Sequence, residues 1–111
     1  MTAKQRNKYY QEGLNEIVKA IKKYDPEKII LFGSVAYGKF HEDSDIDLLV
    51  IKDTDEPYNS RQLRVARMYC GLVPTDIIVV TQKELDKAIT ENRFFVVEEI
   101  LKKGKVIYER H

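Results

Sequence analysis

Two apolar runs, each entered through an aspartate, constrain this chain more than anything else in it. They are "DIDLLVIK" at 45–52 and "VPTDIIVVT" at 73–81. Each reads as a buried strand, and the segment between them is long enough for one helix. A strand, a helix and a second strand joined by a right-handed crossover lie parallel with their starts level. Side chains two apart on a strand share a face, so Asp45 and Asp47 are neighbours and Ile46 points the other way. Asp76, at the entrance of the second run, comes to the same edge.

Carboxylates packed this closely repel, and burying one without a partner is costly. A divalent cation removes the conflict, and hard oxygen ligands suit Mg²⁺. Three carboxylates at one edge can hold two ions roughly 3.5–4 Å apart, an arrangement suited to phosphoryl or nucleotidyl transfer.

Upstream, "KIILFG" (28–33) reads as a strand that stops at Gly33, followed by one tight helical turn, "SVAYG" (34–38). If this strand runs antiparallel to the next, Gly33 and Ser34 reach the edge that holds the aspartates. Gly33 lets the backbone approach a ligand closely. Backbone N–H groups at a helix start and the Ser34 hydroxyl would receive phosphate oxygens. Singly, each feature has a plainer reading: a turn, a surface acid pair, a strand-entry residue. In combination they describe a nucleoside triphosphate site.

The remaining elements follow from periodicity and capping. Leu14, Ile17, Val18 and Ile21 mark an amphipathic helix over 5–24, ended by "YDPEK". A helix is predicted from Ser60, as N-cap, to about Tyr69, with Leu63, Ala66 and Met68 among its apolar members. Thr81 caps a short helix, and Asn92 is read as the cap of a further one that stops at Gly104. "KVIYE" is a last strand. The order predicts one α/β (α+β) domain over residues 1–111, a small mixed sheet with helices packed on it.

Composition excludes several classes. The 111 residues are 43% hydrophobic and carry net charge +1, so a folded domain is expected and direct nucleic-acid binding is not. A single cysteine, Cys70, gives no internal disulfide and suits a reducing cytoplasm. The opening "MTAKQRNKYYQEG" lacks the apolar run of a signal peptide. No stretch approaches the roughly 20 apolar residues of a membrane span.

"GSVAYGKFHEDSDIDLLV" with the aspartate of "TDIIVV" resembles the signature of the DNA-polymerase-β-like nucleotidyltransferases. The ending "EEILKKGKVIYER" resembles the minimal members of that superfamily, many of them encoded beside an all-helical HEPN toxin. The resemblance implies the polymerase-β-like fold and Mg²⁺-dependent transfer of AMP from ATP to a hydroxyl. Asp45, Asp47 and Asp76 would be catalytic and hold two Mg²⁺ ions, and Gly33 and Ser34 would hold the β and γ phosphates. It further implies an antitoxin that adenylylates a tyrosine of the HEPN partner; whether the chain forms a homo- or hetero-oligomer is left open by the sequence. An aminoglycoside-type nucleotidyltransferase and an antitoxin acting by binding alone are the alternatives.

Other residues read as ordinary surface or core. Arg61, Arg64 and Arg67 suit a solvated helix face, and Lys39 and His41 a surface loop. Tyr9, Tyr10, Tyr37 and Tyr69 are expected to pack. Phe94, Phe95, Val96 and Val97 are more apolar than one helix face needs, so they suit either an interface or a packed helix.

Overall fold

The computed structural model describes residues 2–38, 45–69, 71 and 73–110. Helix α1 (Ala3–Lys22) begins at a capping box in which Thr2 and Gln5 satisfy each other's backbone N–H, so it starts earlier than its apolar stripe suggests. Strand β1 (Lys28–Phe32) leads through Gly33 into a 3-10 turn, Ser34–Tyr37, closed by left-handed Gly38. Strand β2 is Ile46–Ile51, helix α2 Tyr58–Ala66 and strand β3 Thr75–Val80. Helix α3 (Gln82–Thr90) carries the expected Thr81 cap, with Glu84 completing the box. A closing helix, Phe95–Lys102, is wound in the wider π form and leads to β4 (Lys105–Glu109).

The four strands order as β3-β2-β1-β4. β1 is antiparallel to both β2 and β4, and β2 is parallel to β3, as the two aspartate-led runs require. Alternation along the strands divides the core in two. Ile46, Leu48 and Val50 face α1 and α2, where Ile17, Ile21 and Val65 meet them. Leu49 and Ile51, with Ile30 and Phe32 of β1, face α3 and the closing helix through Leu85 and Ile100. No helix among the described residues is long and apolar enough to cross a membrane.

Three local expectations need correction. Helix α2 starts at Tyr58 with Pro57 as its N-cap, so Ser60 lies inside the helix and caps nothing. Leu63, one of the apolar members named for that helix, is 52% exposed; Arg61 and Val65, one turn apart, face the protein instead. Asn92 does not cap the closing helix: at φ +52° it is the left-handed residue that ends α3, a conformation asparagine tolerates.

Candidate active site

The site is assembled at the end of the sheet where β2 and β3 begin. Asp47 is in register with Asp76 on the neighbouring parallel strand, and Phe32 of β1 pairs with Asp47 from the other side. Adjacent strands lie about 4.8 Å apart, so the Asp47 and Asp76 carboxylates stand side by side on one face. Asp45 is exposed, immediately before β2 and two residues from Asp47 on the same side. The three aspartates singled out from sequence therefore converge at one edge.

Their electrostatics record the crowding. Asp47 is half-buried, and its pKa is pushed up to about 6, first by burial and then by the charges of Asp76 and Asp45. The central carboxylate thus sits in surroundings that disfavour its own charge. A bound cation would reverse that.

Gly33 closes the site from β1. Its φ of +80° and ψ of −166° lie in a region essentially reserved for glycine. A Cβ there would collide with the Asp47 carboxylate. The glycine therefore brings backbone against the aspartate, and Ser34 follows at the first position of the 3-10 turn. Tyr37, at the other end of that turn, donates its hydroxyl to Glu99 Oε2 at 3.1 Å, and Lys103 Nζ holds Glu99 Oε1 at 3.2 Å. This clip ties the turn to the closing helix. Phe95 adds an edge-to-face contact with Phe32, ring centroids 5.9 Å apart.

Metal fit follows from the donors. Three carboxylates offering hard oxygens, one with its charge disfavoured by burial and like charges, suit Mg²⁺. No group of three His, Cys, Asp or Glu side chains among the described residues is already closed around a point. Ligands would have to draw together on the ion. Lys39 and His41 lie outside the described residues, as does the side chain of Cys70.

Behind the site, α2 holds β3 in place through side chains that periodicity did not reveal. Gln62 uses both ends of its amide on the outer edge of β3. Its Nε2 donates to the Ile77 carbonyl and its Oε1 accepts from the Val79 N–H, each at 2.6 Å. Arg61, read from sequence as solvated, is 5% exposed. Its guanidinium donates to the Val79 carbonyl at 3.2 Å and forks onto Glu84, with Nη2–Oε2 at 2.9 Å. Glu84 is held down to about pKa 2, chiefly by that hydrogen bond. Arg64 pairs instead with Glu56 at 2.6 Å. From sequence only the Thr81 cap was legible, and nothing in it signalled that Glu84 completes the box and also anchors Arg61.

Comparison with known proteins agrees with this construction. Residues 15–111 match the family model described as "Polymerase beta, Nucleotidyltransferase". A protein of Methanocaldococcus jannaschii, provisionally named a protein adenylyltransferase, is 34% identical over 101 residues, covering 88% of this chain and 97% of the relative. A crystal structure from Sulfolobus solfataricus, provisionally identified as a nucleotidyltransferase, shares the fold. Its TM-score is 0.68 at 23% identity, over 97% of this chain and 87% of that one. The family match over residues 15–111 and the 34% identical relative, together with a carboxylate edge beside a glycine-serine bend, make this chain a member of the polymerase-β nucleotidyltransferase family.

Proposed function

We propose that the chain transfers AMP from ATP to a hydroxyl of a protein acceptor, a tyrosine of a helical HEPN toxin being the acceptor that the resemblance implies. The name carried by the M. jannaschii relative supports protein adenylylation. The observation that carries the reading is the level pairing of Asp47 and Asp76 beside Gly33, with Asp45 on the same side.

In this scheme Asp45, Asp47 and Asp76 would hold Mg²⁺, which when bound neutralises charge on the transferring phosphate and acidifies the acceptor hydroxyl. Gly33 and Ser34 hold the β and γ phosphates through backbone N–H and hydroxyl. Asp76 receives the proton of the acceptor hydroxyl. The acceptor oxygen bonds to the α-phosphorus, the bond from that phosphorus to the α–β bridging oxygen breaks, and pyrophosphate leaves.

The test combines the chain, labelled ATP, Mg²⁺ and the protein encoded beside it. The expected result is the mass of an adenylyl group on a partner tyrosine, absent with Asp47→Asn or Asp76→Asn. A partner silenced without any mass gain would instead identify neutralisation by binding, and label on small aminoglycosides alone would identify the antibiotic-modifying class.

A further inference from the structure

Asp76 and Asp47 stand level, but the sheet holds them differently. Asp47 lies on β2, with a hydrogen-bonded strand on each flank. Asp76 is the second residue of β3, an edge strand with a ladder on one flank only. Asp76 is also exposed, so packing does not fix its side chain. Its place opposite Asp47 depends on the path of its own backbone.

The outer flank of an edge strand carries N–H and C=O groups that no strand pairs. On β3, helix α2 takes three of them. Gln62 Nε2 donates to the Ile77 carbonyl, and Gln62 Oε1 accepts from the Val79 N–H, each at 2.6 Å. In a parallel ladder a residue of the next strand makes the same pair of bonds, donating to one carbonyl and accepting from the N–H two residues on. The carboxamide therefore stands where one residue of a fifth strand would. Only asparagine and glutamine side chains carry this peptide-like group, with a neutral donor and acceptor in one plane.

This clasp begins next to the aspartate. The Ile77 carbonyl belongs to the residue after Asp76, and Gln62 and Asp76 line one hollow of about 340 Å³ between α2 and β3. Further along, Arg61 takes the Val79 carbonyl at 3.2 Å and is itself forked onto Glu84. The outer flank is thus held from Ile77 to Val79, immediately beyond the carboxylate edge.

We propose that Gln62 is a positioning residue of the transfer site. Acting through the Ile77 peptide, its carboxamide keeps Asp76 level with Asp47, so that the two carboxylates close on a shared ion. The proposal rests on the transfer reading above and adds to it the group that pre-organises the outermost ligand. A carboxylate steadied from behind has less freedom to lose when the ion binds. Gly33 and Ser34 lie on the β1 side of Asp47, away from this clasp.

The experiment titrates the intact chain with Mn²⁺ in the presence of a non-hydrolysable ATP analogue and reads the broadening of each amide. Gln62→Met keeps the side chain's length and removes both hydrogen bonds. Its apparent Mn²⁺ affinity is expected to fall about tenfold or more. At saturating Mn²⁺, broadening should persist at Gly33, Asp45 and Asp47 and decrease at Asp76. Val65→Ala is the control, because it thins the core under the same helix. It should lower the melting temperature and leave the broadening pattern of the parent chain. Gln62→Met binding Mn²⁺ as the parent does, with Asp76 broadened as before, would overturn the proposal. So would equal losses at all four amides in both variants, which would reduce the role of Gln62 to general stability. No broadening at any of the three aspartates in the parent chain would overturn the transfer reading and the proposal together, whereas a failure confined to Gln62→Met removes the proposal alone.

Discussion

At the scale of single residues, the site is a compromise between stability and chemistry. Asp47 is raised from an ordinary value of 3.8 to about 6 by burial, Asp76 and Asp45. A carboxyl whose pKa is higher in the folded state holds its proton more tightly there. Its contribution is fully present below about pH 4 and is lost as the pH rises through about 6. Asp47→Asn should therefore raise the metal-free melting temperature at pH 7.5 and leave it nearly unchanged at pH 4. Allowing for solvent screening, the gain is on the order of 1 kcal/mol, or roughly 5 °C for a domain of this size. Thermal denaturation at the two pH values checks this, and a lower melting temperature at pH 7.5 would contradict it. Gly33→Ala is expected to act in the opposite direction. It places a Cβ against the Asp47 carboxylate at φ +80°, at a cost of about 1–3 kcal/mol. Affinity for the ATP analogue should fall with it, as read by calorimetry.

At the scale of elements, what the sequence made legible was whatever local patterning decides. The parallel pairing of β2 and β3 could be read because two apolar runs flank a helix-length segment, and Asp76 came level with Asp47 as a consequence. The 3-10 turn between Gly33 and Gly38 was legible from its bounding glycines. Residues with two plausible local roles were misread. Asn92 could start one helix or end another, and only the chain's path decided for the end of α3. Arg61 carries a charge that suits solvent, but long-range partners on Val79 and Glu84 bury it. Those partners make a testable element. Gln62→Ala leaves the Ile77 carbonyl and Val79 N–H on an open strand edge, so amide exchange at Val79 should accelerate by roughly tenfold or more. Unchanged exchange would mean that another group takes over the edge. The Arg61–Glu84 pair acts with acid. Glu84 is held at about 2, below its ordinary 4.5, so its stabilisation is present above about pH 4.5 and is lost as the pH falls toward 2. Glu84→Gln should flatten that part of the acid-denaturation curve.

At the scale of the whole molecule, the two faces of the sheet do different work. The face under α1 and α2 holds the larger part of the buried core, and the face under α3 and the closing helix carries the carboxylate edge and a partly open apolar floor. Phe94 and Phe95 remain 73% and 54% exposed on that second side, where Phe95 lies against Phe32 of β1. Mg²⁺ that binds only the folded chain should stabilise it, by about 1.4 kcal/mol at ten times its dissociation constant. The effect should be absent in Asp47→Asn, whose metal-free form is the more stable one.

The most direct measurement is paramagnetic broadening of the amide spectrum by Mn²⁺ in the presence of an ATP analogue, with Mg²⁺ as competitor. Three aspartates acting together would concentrate the broadening at Gly33, Asp45, Asp47 and Asp76, and either Asp47→Asn or Asp76→Asn would disperse it. Broadening centred elsewhere, or unchanged in both variants, would show that these carboxylates do not share an ion.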